Sequence, residues 1–212
     1  MDAVRFRRRA TALASVPIVL GALMVVQERT GVFQKGRPGG IGLVRAGRDP
    51  TADMVGWDVI AAELKRRGLL DQPGTFLFTS SWYHSGQLAF AIRGSQTPVL
   101  CYQAWDARSF AFWSRPKDWV GRDGILVACN DRSSEPDCFD PWFTRIEPIG
   151  NFSVDRAGVP VRTVRLFRCS RQTAPFPFDD LGRTIRPRGK SSDFAEIRRI
   201  AADAEAKDSP VR

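Results

Sequence analysis

Residues Ala10 to Val26, ATALASVPIVLGALMVV, make an apolar run that no charge interrupts. With Gln27 it reaches the lower end of the roughly 17–25 residues a helix needs to cross the hydrocarbon core of a bilayer. Its apolar residues run all round instead of along one stripe, which argues against a helix laid on one face of a soluble domain. Pro17 would only kink the helix. Arg5, Arg7, Arg8 and Arg9 crowd the amino-terminal flank, whereas Glu28 and Arg29 nearly cancel. The positive-inside rule then leaves the first residues in the cytoplasm and everything from about Gly31 outside. A cleaved signal peptide shares the basic start and apolar core, but no small-x-small site follows Val26, which favours an anchor.

The 212 residues, 43% hydrophobic and 26% charged, suit one anchored globular domain. A net charge of +9 and an isoelectric point near 10.1 raise the question of nucleic acid. However, the arginines are spread along the chain, and neither a helix-turn-helix signal, paired CxxC nor RNP-type aromatics appear. No nucleic-acid partner is expected. The excess charge suits anionic lipid or sugar-lipid head groups.

Four segments follow from the pattern: a basic start and transmembrane helix over 1–30, a linker over 31–48, an outer domain over 49–171 and a Pro-rich, charged tail over 172–212. The linker's Gly36, Gly39, Gly40 and Gly42 lack the flanking strand and helix of a dinucleotide fingerprint. Thr51 or Asp53 is placed to cap a helix through Val55, Val59, Ile60 and Leu64, with Arg66 and Arg67 in its last turn and Gly68 ending it. Thr75–Thr79 reads as a strand, Trp82–Ile92 as a helix with Leu88, Ala89 and Ile92 inward, and Pro98–Tyr102 as a strand. Gly124–Cys129 is apolar on both faces, as a strand covered on each side should be. Phe143–Ile149 and Val161–Cys169 alternate, and Asp155-Arg156-Ala157-Gly158 supplies turn chemistry before the last strand. The expected fold is α/β: a single N-terminal transmembrane helix, then a small, partly parallel sheet of about five strands with flanking helices and an antiparallel edge hairpin. The tail beyond Arg171 is expected to be poorly ordered, with one late helix over Ser192–Ala206.

Beside the arginine-flanked helix stand Asp49-Pro50-Thr51, Gly56-Trp57, QLAFAI, Phe112-Trp113, Val120-Gly121-Arg122-Asp123 before a strand, and the closing RLFRC. Together, over roughly Arg5 to Arg171, these resemble the last membrane helix and C-terminal outer domain of a bacterial GT-C class glycosyltransferase, of the dolichyl-phosphate-mannose protein mannosyltransferase and aminoarabinose transferase-like group. The resemblance implies a bacterial inner membrane, a polyprenyl-phosphate sugar as donor, and a cell-envelope acceptor. It supplies no catalytic residue, because that family's acidic residues lie on loops between early membrane helices, which have no counterpart here. It therefore implies a fragment or accessory subunit beside a separate polytopic membrane subunit. The alternative is a non-catalytic, membrane-tethered binding or scaffold domain.

Among candidate site residues, His84 is the one histidine. Ser80, Ser81 and Ser85 nearby form no GxSxG, so a satisfied histidine is favoured over a base. The strand-to-helix turn at Ser80, Ser81 and His84 can instead offer N–H groups to an anion, although ordinary capping uses the same residues. Trp105 and Trp113, with Trp119, Trp142, Phe110, Phe112 and Phe139, offer faces on which sugars stack, and core or interface packing competes for them. Cys129 and Cys138 flank a polar loop and are candidates for a disulfide in an oxidising compartment, two thiols being the alternative. Cys101 and Cys169 read as buried thiols on strands. No CxxC pair exists, so no metal or cofactor is expected.

Overall fold

The structure, a computed structural model, describes residues 3–45, 48–103, 107–113, 115–129 and 135–176. The chain divides into two units, one formed by residues up to Gly56 together with Ser153–Arg162, the other by Trp57–Phe152 and the chain from Thr163 on.

In the first unit, α1 (Ala3–Thr30) runs for 28 residues through Pro17, about 42 Å at 1.5 Å per residue. Its Leu13–Thr30 stretch is long and apolar enough to cross a membrane and is almost wholly unburied. Leu13, Ile18, Val19 and Leu20 all stand exposed. At the far end the environment changes: Gln27 is buried and donates to Asp49 Oδ2 at 2.6 Å, while its Oε1 accepts from the Phe33 amide at 2.8 Å. The chain turns at Gly31 (φ +62°) and folds on itself, with Ile41 N donating to Val32 O at 2.7 Å and Val44 N to Phe33 O at 2.8 Å. The segment expected as a bare linker is therefore partly built structure. The partner that ties it down, Arg156, lies on the hairpin tip: its Nη2 donates to Gln34 Oε1 at 2.6 Å and its Nη1 to Thr51 Oγ1 at 2.9 Å, and it pairs with Asp49.

The second unit begins with α2 (Trp57–Arg66), which buries Trp57, Ile60 and Leu64 and leaves Val59 exposed. Thr51 makes no side-chain cap, because its hydroxyl is spent on Asp49. Before α2 come a short 3-10 turn, Ala52–Met54, and Gly56 at φ +77°. At the other end Glu63 accepts from Arg66 and Arg67, and those two guanidiniums pull its carboxyl down to about 2. Then follow β1 (Thr75–Thr79), α3 (Trp82–Ala91), β2 (Val99–Cys101), the single turn α4 (Phe110–Trp113), β3 (Asp123–Cys129), β4 (Phe143–Arg156) and β5 (Val159–Gln172). The sheet has the order β2-β1-β3-β5-β4. β1 is parallel to both β2 and β3, with Leu77 opposite Val99 and Phe76 opposite Gly124, and β3 is antiparallel to β5, with Leu126 opposite Phe167.

This is the expected α/β architecture, a mixed sheet flanked by helices. β4 and β5 run longer than their alternating cores suggested, at 14 residues each. Pro148 lies inside β4, which is an edge strand, the place in a sheet where a residue without an N–H is tolerated. The hairpin turns at Ala157 (φ +50°) and Gly158 (φ +78°), the double positive φ of a type I′ turn.

Period-two alternation splits β1 and β3 cleanly. Phe76, Phe78, Leu126 and Ala128 join Tyr102, Phe139, Trp142, Phe143 and Phe176 in an aromatic core on one face. Leu77, Ile125 and Val127 point to the other face, where α3 packs on β1 and β2 and α2 packs on α3. The fold also continues past the expected boundary at Arg171: Gln172 is buried and accepts the Tyr102 hydroxyl, and Phe176 stacks on Tyr102 at 4.3 Å. The late helix expected over 192–206 lies outside the described residues.

Candidate functional site

The turn after β1 is buried. Thr79, Ser80, Ser81, His84 and Ser85 all have almost no exposure. Ser85 donates its hydroxyl to the Leu100 carbonyl at 2.8 Å and lies 2.8 Å from the Thr79 hydroxyl. These polar groups bind β1, β2 and α3 together. Ser81 occupies the N-cap with extended backbone and makes no side-chain cap bond, and the first amide of α3, at Trp82, donates to Gln103 Oε1 at 3.1 Å. His84 packs 5.5 Å from the Trp57 ring and 4.2 Å from Tyr83. Ser80, Ser81 and His84 are thus placed inside the unit, away from any open anion-binding rim, because α3 turns their face toward the sheet.

The outward face of α3 is what builds a site. Tyr83, Gly86, Gln87 and Phe90 follow one another at helical spacing. Together with Trp82 they form one wall of an open cavity of about 700 Å³. Arg108, Ser109, Phe110 and Trp113 form the other wall. That wall is held by Phe110, which buries itself in a small cluster with Cys101, Ala107 and Ala111. Trp113, 70% exposed, meets the Phe110 ring edge-on at 4.7 Å. Arg108 stands in the left-handed region (φ +51°) and sets its guanidinium carbon 4.7 Å from the centre of the Trp82 ring. A cation over an indole face is attracted by the ring's quadrupole and holds the plane still.

The volume lies within the roughly 300–1,000 Å³ of small-molecule sites. Flat aromatic faces, a guanidinium, an amide and a hydroxyl suit a ligand with C–H faces and hydroxyl or phosphate edges. Among the described lining residues no carboxylate or imidazole stands, and the Tyr83 phenol is the group there that could give or take a proton.

Of the expected sugar-stacking residues, Trp113 belongs to this groove, whereas Trp105 lies outside the described residues. Trp142 and Phe139 are in the core, and Trp119 packs against it. Tyr83, Gln87 and Phe90 were not singled out by sequence. The signal was there for Tyr83 and Phe90, aromatics left on α3 opposite its buried Leu88.

The structure carries all four cysteines as thiols, three buried and Cys138 half-buried. Burial pushes the Cys169 thiol up to about 12. Among the described residues no group of three His, Cys, Asp or Glu side chains is placed to hold a metal ion. No protein-family model, curated protein or solved structure matches the chain.

Proposed function

We propose that this chain is a membrane-anchored outer domain serving a polyprenyl-phosphate-sugar-dependent glycosyltransferase of the GT-C class, as a binding element that does not itself transfer the sugar. The N-terminus lies in the cytoplasm and the folded units outside the bacterial inner membrane. The observation that carries the reading is the groove between α3 and α4, lined by Trp82, Tyr83, Phe90 and Trp113, with the Arg108 guanidinium held over the Trp82 ring. A hexose stacks its C–H face on such rings, and a guanidinium matches a sugar phosphate with paired donors. The reading leaves the chemistry to membrane helices of a polytopic partner, because the resemblance behind it brings no catalytic residue into this chain.

Titrating the full chain in detergent with hexose 1-phosphates and polyprenyl-phosphate hexoses, read by tryptophan fluorescence, tests this. Saturable binding is expected, weakened about tenfold by Trp113→Ala, the size of one good aromatic contact near 1.4 kcal/mol. No glycosyl transfer by the purified chain should accompany it. Absence of binding across the series, or turnover by this chain alone, would overturn the proposal.

A further inference from the structure

We infer that the loop after α1 is a second membrane contact, with Ile41 and Leu43 inserted at the bilayer surface and Lys35, Arg37 and Arg45 on anionic head groups. This rests on reading α1 as a membrane span and is independent of the groove.

Ile41 is 61% exposed and Leu43 72% exposed, flanking Gly42 at φ +72°. They do not sit on a loose tether. The Ile41 amide is fixed to Val32 O, the Val44 amide to Phe33 O, and the Lys35 amide to Val44 O at 2.7 Å. A loop ordered by backbone bonds therefore holds two large aliphatic side chains out together in a fixed place, where an apolar phase can receive them.

Three observations name the bilayer as that phase. First, the loop is continuous with the lipid-facing helix: it begins at Gly31, and the folded unit already starts at Gln27, which is buried, so no spacer separates membrane from loop. Second, residues 10–26 rise only about 25 Å, short of the roughly 30 Å core, and a short span draws its flanks into the interface. Third, the charge is of one sign: from Gly31 to Arg48 the sequence holds Lys35, Arg37, Arg45 and Arg48 and no Asp or Glu. Lys35 and Arg45 are exposed, and Arg37 is half-buried. Apolar tips ringed by basic residues are the composition of an interfacial anchor on anionic lipid.

The test uses the full chain carrying Cys138→Ser and Leu43→Cys, the other cysteines being buried, with an environment-sensitive fluorophore at position 43. The chain is placed in nanodiscs of phosphatidylcholine alone or with phosphatidylglycerol. The label should emit as in an apolar setting and be quenched by spin-labelled lipid near the head groups, more strongly in the anionic discs. Lys35→Gln with Arg37→Gln should shrink that difference markedly, since each basic residue near an anionic surface is worth about fivefold in partitioning. Water-like, unquenched emission from a chain that stays in the disc overturns the loop contact while leaving the anchor intact. Equal quenching in both disc types overturns the head-group pairing. A chain that washes off the discs at high pH overturns the anchor and the inference with it.

Discussion

Arg156 and Asp49, 107 residues apart in sequence, form an ion pair in which both side chains are almost completely withdrawn from solvent. The pair joins the tip of the β4–β5 hairpin to the segment that follows α1, inside the first unit. It is tolerable because little of either group's hydrogen-bonding capacity is wasted. Asp49 also accepts from Gln27 and from the amide and hydroxyl of Thr51, and the guanidinium also reaches Gln34 and Thr51.

Removing one member of such a pair leaves the other charge buried and uncompensated. Arg156→Met is therefore expected to destabilise the first unit by about 3–5 kcal/mol. Urea unfolding of the detergent-solubilised full chain measures this, and a loss below about 1 kcal/mol, typical of a surface pair, would contradict the burial.

The same pair makes stability depend on acid. Burial alone raises the Asp49 pKa, but hydrogen bonds from Thr51, Arg156 and Gln27 outweigh it and hold the carboxyl below its ordinary value. A depressed folded pKa means the contribution is complete above the unfolded value of about 3.9 and is lost as pH falls through the folded one. Unfolding followed from about pH 5 down to about pH 2 should show this loss, and Asp49→Asn, already weakened, should show a shallower acid dependence.

Gly56 holds φ +77°, and a β-carbon there would run into Val154 Cγ1. Both strain and overlap oppose a side chain, so Gly56→Ala is expected to cost about 2–3 kcal/mol. Adding Val154→Ala should recover the overlap part but not the backbone part. A double variant no better than the single one would show that the contact with Val154 is not what excludes the side chain.

The cysteines can be read by maleimide labelling near neutral pH. Cys101, Cys129 and Cys169 are buried, and Cys169 in addition is held protonated by its raised pKa, so these three should react only after unfolding. Cys138, half-buried and a thiol in the structure, should react at once; a need for reductant before it reacts, with Cys129 then also unreactive after unfolding until reduced, would show the disulfide expected in an oxidising compartment.

Much of this protein was determined by local rules that act through sequence alone. The apolar run from Ala10 to Val26 specified a helix of membrane-spanning length because length and the absence of charge are properties of consecutive residues. The TFLFT strand, the helix over WYHSGQLAFA and the GILVAC strand followed for the same reason, as did the turn at Ala157-Gly158. Tertiary structure decided whatever depended on residues far apart. Gly31 to Arg48 looked like a spacer because nothing nearby binds it, and it took Arg156 to close on Gln34, Asp49 and Thr51. Sequence left Ser80, Ser81 and His84 open to anion binding or to ordinary packing, and packing of α3 on the sheet turned them inward and sent Tyr83 and Phe90 outward. Among the aromatics, composition cannot tell Trp142, sunk in the core, from Trp113, open to solvent. That difference arises because Phe110 pins α4 beside the end of β2, a contact that only the folded chain can make.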